Sequence, residues 1–303
     1  MSEPEDAPDL GGRTWSQRLR ALHPKHFFLD TWRELDAEAA ALRRARAEAG
    51  KGYDFQPLGA LVLGAVCLTL MEYFGHDRDY YWAMDQFDPP MRIGRDGFWA
   101  SLRDSEWQEL GQHAWWAIWR VGGYLVVPAL YIKLVLRERI RDHGLSLVGL
   151  RQHAWIYVLS YLVVLVCVFA VSFDPHFQTY YPFYPEHPAA PRAWLDFLGW
   201  ELMYAAQFFS LEFFFRGFWL HAMRRSLGSQ AIFAMVVPYC MIHFGKPFLE
   251  TLAAIIAGIV LGTLAMKTRS IWSGFLVHVS VALSMDIAAL LQTDRMPTRL
   301  LPW

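Results

Sequence analysis

Seven long apolar segments constrain this chain more than any other feature of its sequence. Hydrophobic residues make up 54% of the 303 residues, and they are clustered rather than spread evenly. A helix needs about 20 apolar residues to cross roughly 30 Å of hydrocarbon. In lipid, a helix is the simplest structure in which the backbone N–H and C=O groups all form hydrogen bonds within one segment. We therefore predict an all-α, polytopic transmembrane bundle of about seven to eight helices. The segments are Pro57–Phe74, Trp115–Leu136, Trp155–Phe173, Trp194–Phe215, Ala231–His243, Phe248–Met266 and Ile271–Leu291.

Basic residues flank these segments unevenly, which predicts the orientation in the membrane. They are concentrated before the first segment and after the second, fourth and sixth. The positive-inside rule then places the amino terminus in the cytoplasm and the carboxyl terminus outside, although Arg295 and Arg299 oppose the latter. The first 50 residues do not have the pattern of a signal peptide, so we expect a multi-pass protein of the cell inner (cytoplasmic) membrane. A net charge of -1 argues against nucleic acid as a partner, and the lipid bilayer is the expected environment.

The polar segment before the first crossing contains one predicted helix. Thr31 and Glu34 have the spacing of a capping box, and the Ala-, Arg- and Glu-rich run that follows ends at Gly50 and Gly52. We predict a solvated cytoplasmic surface helix. A membrane-interface or partner-binding helix is the alternative.

Ionisable side chains inside apolar segments are the strongest sign of function. Glu212 lies in the fourth segment and Arg216 directly after it, His243 at the end of the fifth, and His278 in the seventh. Such groups are costly at bilayer depth and usually face a bundle interior or a water-filled cavity, where they pair or take part in chemistry. We predict an active site inside the bundle that contains these four residues. The alternative is a structural role in helix packing.

The spacing of these residues predicts two local arrangements. Glu212 and Arg216 are four residues apart, so they share a helix face and can form an ion pair. A carboxylate at this depth is paired or protonated, and its pKa can be tuned for general-base catalysis. His278 and Asp286 lie on one stripe of the last helix. His278 is a candidate to stabilise an oxyanion, and Asp286 a candidate to steer it or a neighbour.

A helix break is predicted directly after His243. Gly245 and Pro247 should bend or end the helix, so the histidine lies near a discontinuity that can line a cavity. Glu250 follows the break and is a candidate to orient His243.

The order of these motifs resembles the CPBP (CAAX protease and bacteriocin-processing, abortive-infection) family of intramembrane endopeptidases. The family pattern is Glu-Glu-x-x-x-Arg, then aromatic-x-x-x-His, then His-x-x-x-Asn or Asp, on successive transmembrane helices. Glu212 and Arg216 match the second glutamate and the arginine of the first motif. Tyr239 and His243 match the second motif, and His278 matches the histidine of the third. The resemblance implies a protease that acts on a membrane-associated or exported protein or peptide.

The resemblance covers roughly Trp194–Leu291, and the chain departs from the family pattern at two positions. The first glutamate, the favoured water-activating base of the family, is Leu211 here, and the Asn or Asp of the third motif is Ala282. One residue rotates a helical side chain by about 100°, so Glu212 does not automatically take the place of the missing glutamate. Three hypotheses follow: Glu212 has become the base, Glu201 on nearly the same face assists it, or the site is inactive.

An active site of this kind is expected to hydrolyse a peptide bond in the cytoplasmic-facing part of the membrane. Glu212, assisted by His243, would deprotonate a water molecule that attacks the scissile carbonyl. His278 would stabilise the oxyanion, and Arg216 would hold Glu212 in place. Asp286, one turn beyond the family's Asn position, is a candidate for the missing polar group. We expect no cofactor; zinc is the alternative, because two histidines and a glutamate are zinc-ligand types, although no H-E-x-x-H is present.

Two further classes of function are compatible with the sequence. A non-catalytic family member that binds a membrane peptide or partner is favoured by the two departures from the family pattern. A proton-relaying transporter would be expected to show paired repeats with broken helices, and no such symmetry is visible. The predicted organisation is a polar segment with a surface helix at 1–54, amino-terminal transmembrane helices and loops at 55–192, a CPBP-like catalytic core at 193–292 and a short tail at 293–303.

Overall fold

The protein is built from helices. The computed structural model describes residues 23–76, 79–83, 108–147, 150–183 and 193–301, and within these residues it contains no strand, only two isolated β-bridges. The α-helices that we label are α1 (Thr31–Glu48), α2 (Gln56–Phe74), α3 (Gln108–Val121), α4 (Leu150–Val171), α5 (Pro175–Tyr180), α6 (Trp194–Glu212), α7 (Leu220–Leu227), α8 (Gln230–Met241), α9 (Phe248–Thr268) and α10 (Trp272–Gln292). Helix α3 continues to Leu136 through Gly122–Val126, Val127–Tyr131 and Ile132–Leu136.

Five helical stretches of the described residues are long and apolar enough to cross a membrane. They are α2, the continuous stretch Leu110–Leu136, Ala154–Val171 of α4, α9 and α10. Two predicted crossings fall outside this set. Helix α6 carries three acidic residues, and α8 has only 12 residues, or about 18 Å of helical rise. The predicted fold class, an all-α polytopic bundle, is nevertheless confirmed.

The outer surface of these helices is apolar. On α4, for example, Val166 is 70% exposed and Phe169 is 63% exposed, and Val163 beside them is 61% exposed. Water does not tolerate a continuous apolar face of this kind, whereas the hydrocarbon of a bilayer does. The exposed face therefore agrees with a lipid-facing helix.

Two compact units divide the chain. The first unit comprises Met1–Val62, Ile132–Ser160 and Glu212–Leu276. The second unit comprises Leu63–Tyr131, Tyr161–Leu211 and Val277–Trp303. Helices α6 and α10 each contribute residues to both units.

Within the first unit, α1 packs against other helices instead of lying free in solvent. Leu35 and Ala39 are buried, and the Trp32 indole donates a hydrogen bond to Thr263 Oγ1 of α9 at 3.1 Å. Asp36 Oδ1 accepts a hydrogen bond from the backbone N–H of Ser229 at 2.8 Å, just before α8 begins. Long-range contacts therefore bury one face of α1, while most of its residues are exposed, and its role as a cytoplasmic surface helix stays a prediction.

The predicted capping box at the start of α1 was wrong. A π-helical turn, Lys25–Asp30, precedes the helix, so Thr31 is already a helical residue. The Thr31 hydroxyl accepts a hydrogen bond from Lys267 Nζ at 3.3 Å instead of capping the helix. The predicted end of the helix is confirmed, since Gly50 has a φ of 62°, a conformation that glycine adopts easily.

Close packing of α8 against α9 positions the residues of the second motif. A Cβ atom at Gly258 would lie 2.9 Å from Val236 Cγ2 and 3.2 Å from Tyr239 Cδ1. A Cβ atom at Gly262 would lie 3.0 Å from the Met235 methyl group. The two glycines are four residues apart, which is the small-x-x-x-small spacing that lets membrane helices approach closely.

The backbone changes from α-helical to π-helical immediately after Glu212. The π-helix spans Phe213–Trp219 and is buried throughout. The Trp219 indole donates a hydrogen bond to the Ala60 carbonyl of α2 at 2.7 Å. Such π-helical turns occur frequently at functional sites.

Candidate active site

A buried ion pair lies at the end of α6. Arg216 Nη1 donates a hydrogen bond to Glu212 Oε1 at 2.9 Å, and both residues have 0% relative exposure. The pair predicted from the four-residue spacing is therefore present. Removing one partner would leave the charge of the other buried without its ion-pair partner, which is strongly destabilising.

Tyr239 and His243 extend this ion pair into a continuous series of contacts. The guanidinium carbon of Arg216 lies 4.1 Å from the centroid of the Tyr239 ring, which is cation–π geometry. The Tyr239 and His243 ring centroids are 4.9 Å apart. The first unit therefore brings together Glu212, Arg216, Tyr239 and His243 from α6, the π-helix, α8 and the turn after α8.

One ring nitrogen of His243 has a defined role. His243 Nδ1 lies 2.8 Å from the Tyr239 carbonyl oxygen, which can only accept a hydrogen bond, so Nδ1 carries the proton. In the neutral ring this leaves Nε2 as the basic nitrogen. A histidine held in one tautomer in this way is suited to proton transfer.

The predicted helix break at His243 is confirmed. Helix α8 ends at Met241, Gly245 has a φ of 92°, and α9 begins at Phe248. The Thr251 hydroxyl donates a hydrogen bond to the His243 carbonyl at 2.9 Å, which ties the turn to α9. Glu250 Oε1 accepts a hydrogen bond from Lys246 Nζ at 2.9 Å, so its described ion pair is with this lysine.

Gly274 is a further site residue, which the sequence analysis did not identify. A Cβ atom at this position of α10 would collide with Glu212 Oε2 and would lie 2.7 Å from Glu212 Cδ. Only glycine leaves room for the carboxylate. Its position one helical turn before His278 was a signal available in the sequence, but a weak one.

In the second unit, His278 stacks on an aromatic ring. The centroids of the His278 and Phe208 rings are 5.4 Å apart, and the ring planes differ by 6°. Ala282, which stands where the family has Asn or Asp, is buried against Trp200 and Tyr204. The third motif therefore has an aromatic, apolar setting one turn after its histidine.

The candidate supporting residues Glu201 and Asp286 contact each other within the second unit. Their carboxyl groups are close enough to interact electrostatically. Asp286 is fully buried and also accepts hydrogen bonds from the Phe183 backbone N–H at 2.8 Å and the Trp200 indole at 3.4 Å. Eleven residues, or about 16 Å of helical rise, separate Glu201 from Glu212 along α6. The hypothesis that Glu201 assists Glu212 stays a prediction.

No group of three or more His, Cys, Asp and Glu side chains that could hold a metal ion occurs in the described part of the chain. Among the candidate site residues of the first unit, Glu212 and His243 have side chains of the types that bind zinc. Zinc therefore stays the alternative to a metal-free site.

Comparison with known proteins identifies a family. Residues 193–284 match the family model described as Type II CAAX prenyl endopeptidase Rce1-like, which belongs to the CPBP family. The matched range includes all three motifs, from Glu212 to His278, and ends before Asp286. No curated protein and no solved structure gives a significant match to the chain. The chain is thus a multi-pass membrane protein whose residues 193–284 match a model of the CPBP family, as the three motifs predict.

Proposed function

We propose that the protein is an intramembrane endopeptidase of the CAAX-protease type that hydrolyses a peptide bond through a glutamate-activated water. The observation that carries the proposal is the series of contacts from Glu212 through Arg216 and Tyr239 to His243. It joins residues of two family motifs that are separated by 23 to 31 positions in the sequence. The substrate class is a membrane-associated or exported protein or peptide, and the proposed location is the cell inner membrane with a cytoplasmic amino terminus.

Glu212 is the proposed general base. It takes a proton from water as the water oxygen attacks the carbonyl carbon of the scissile bond. The proton then passes to the departing amide nitrogen, the C–N bond breaks, and the products are a carboxylate and an amine. His243 assists the proton transfer through Nε2, because its Nδ1 is committed to the Tyr239 carbonyl.

Arg216 and His278 have supporting roles in this proposal. Arg216 holds the Glu212 carboxylate in one orientation, and Tyr239 holds the guanidinium through its ring face. His278 is assigned to oxyanion stabilisation from the match to the third motif and from its imidazole chemistry. Phe208, which stacks on it, would fix the plane of the imidazole ring.

Access of water is a requirement of this mechanism. Glu212 has 0% relative exposure, and Gly274 lies directly against its carboxylate. Hydrolysis therefore requires a conformation in which water and the scissile bond reach the carboxylate. Substrate binding is the event that we expect to open it.

The experiment is mass spectrometry of peptide termini in membranes from cells that carry the wild-type protein or single variants at matched abundance. Glu212→Gln and His243→Ala should abolish a new terminus that the wild type produces. Glu34→Gln is the matched control, because Glu34 is exposed on α1 and lies outside the site. Identical termini in wild type and Glu212→Gln, with both proteins folded, would contradict the proposal.

A chelator tests the metal alternative in the same membranes. If the cleavage is metal-free, treatment with a strong zinc chelator should leave it unchanged. Loss of cleavage that added zinc restores would assign a zinc-dependent mechanism instead.

A second candidate function is a non-catalytic member that binds a membrane peptide or partner protein. The complete burial of Glu212 favours it, together with the apolar residues Leu211 and Ala282 at the two family positions. In that case Glu212→Gln should keep the biological effect of the protein as long as the chain folds. A cell-based assay of that effect, run beside the terminus measurement, distinguishes the two functions.

A further inference from the structure

A basic cavity lies in the first unit, away from the Glu212 carboxylate. Its volume is about 330 Å³, which is at the lower end of the range for small-molecule sites. It forms where the start of α2, the end of the α3 stretch, the segment that follows it and α7 meet. The lining residues are Gln56, Leu136, Arg137, Glu138, Arg139, Asp142, His143, His221, Ala222, Arg224 and Arg225.

Positive charge dominates this cavity. Four arginines line it against two acidic residues. Glu138 is already engaged, since one carboxylate oxygen lies 2.8 Å from Arg225 and the other lies 2.9 Å from His143. Arg137 and Arg139 have no ion-pair partner among the residues that the structure describes. Arg224 and Arg225 are paired with Glu38 and Glu138, so Arg137 and Arg139 are the cavity residues that can attract an anion.

Two buried histidines form the inner wall of the cavity. His143 Nδ1 lies 3.2 Å from the Gly217 carbonyl oxygen, and its Nε2 lies 2.9 Å from Glu138 Oε2. His221 Nδ1 lies 2.9 Å from the Arg216 carbonyl. Burial, followed by the charge of Arg224, holds the pKa of His221 well below its usual range.

The position of the cavity at the ends of two candidate membrane spans indicates the source of the anion. Gln56 is the first residue of one candidate membrane span, and Leu136 is the last residue of another. The ends of membrane-spanning helices lie at the boundary between hydrocarbon and water, where the phosphate groups of phospholipids are concentrated. Basic pockets between transmembrane helices at this level are suited to anionic headgroups.

We propose that this cavity binds the phosphate-containing headgroup of an anionic phospholipid from the adjoining leaflet. Arg137 and Arg139 are the expected first contacts, because both are exposed and line the cavity. His143 and His221 connect the cavity to the π-helix, since they donate hydrogen bonds to the carbonyls of Gly217 and Arg216. A bound headgroup therefore stabilises the segment that carries Arg216. The proposal is independent of whether the protein hydrolyses peptides.

The test uses the full-length protein in nanodiscs of phosphatidylcholine, with or without phosphatidylglycerol, followed by native mass spectrometry of the lipids that remain bound. The main variant is the double substitution Arg137→Gln and Arg139→Gln, which breaks no described ion pair. The matched control is Arg44→Gln with Lys51→Gln, which removes the same charge from exposed positions outside the cavity. Ala222→Leu narrows the cavity and keeps all of its charge.

The wild type should retain phosphatidylglycerol in preference to phosphatidylcholine. The arginine double variant should retain it on the order of 100-fold less, because a direct hydrogen bond to a charged group contributes roughly tenfold in affinity. Ala222→Leu should also lower retention, and the control should not. Equal loss in the control, or full retention in Ala222→Leu, would show diffuse surface attraction and overturn the proposal.

Inorganic phosphate separates the two sources of the anion. Sodium phosphate without anionic lipid should not raise the thermal unfolding midpoint of the protein in phosphatidylcholine nanodiscs, whereas phosphatidylglycerol should raise it. An equal increase with both would assign the cavity to a soluble phosphate and overturn the lipid assignment.

Discussion

Replacing Arg216 with methionine should be the most damaging conservative change in the first unit. Methionine keeps much of the side-chain volume but leaves Glu212 buried without its described ion-pair partner. Breaking a buried pair by removing one partner costs about 3–5 kcal/mol. Loss of the cation–π contact with Tyr239 adds roughly 2 kcal/mol in a desolvated setting. The sum is on the order of the entire stability of an ordinary domain, so the variant should accumulate in folded form only at low yield.

A second substitution in the same protein tests this reasoning. Combining Arg216→Met with Glu212→Gln removes the buried negative charge of Glu212. The double variant should therefore be more stable than Arg216→Met alone, by at least about 2 kcal/mol. Both should be compared by titration with a denaturing detergent, followed by tryptophan fluorescence in mixed micelles. Arg44→Met, at an exposed position, should stay within about 0.5 kcal/mol of wild type. If Arg216→Met were as stable as wild type, or no less stable than the double variant, the ion pair would not have the energetic role assigned to it.

Three further changes have defined outcomes. Gly274→Ala should displace Glu212, cost about 1–3 kcal/mol by overpacking and abolish peptide cleavage; unchanged cleavage in the terminus assay would contradict the packing argument. Burial and Arg224 lower the pKa of His221, so the unfolded chain binds a proton there more readily, and stability should fall as pH drops below about 6.5. His221→Asn should flatten that decline in thermal unfolding, and an equally steep decline would refute the assignment. Asp36→Ala should lower the free energy of unfolding by about 1 kcal/mol, as the loss of a helix cap does. Cleavage per folded protein should not change.

Short-range spacing predicted much of the candidate site. The four-residue interval between Glu212 and Arg216 predicted their ion pair, because that interval places two side chains on one helix face. Glycine chemistry at Gly245 predicted the break beside His243, since a positive φ strains most other residues. These features depend on local backbone geometry, which can be predicted from residue types and their spacing in the sequence.

Features that depend on long-range packing were not predictable in this way. Helix α1 looks solvated because its charged residues dominate, yet its partners lie about two hundred positions later in the chain. Nothing in local propensity indicates that Glu201 meets Asp286, or that Gly274 lies against a carboxylate of another helix. The register of helix packing decides such contacts, and no local pattern specifies that register.

The short length of α8 has a consequence for the lipids around it. Its 12 residues rise about 18 Å, roughly 12 Å less than the hydrocarbon thickness of a typical bilayer. Its close contacts with Gly258 and Gly262 hold it against a full-length neighbour, and tilting would only shorten its span further. A short hydrophobic element is accommodated by local thinning of the bilayer. Lipid beside α8 should therefore be compressed next to the turn that carries His243, which shortens the path by which water and a substrate backbone reach that histidine.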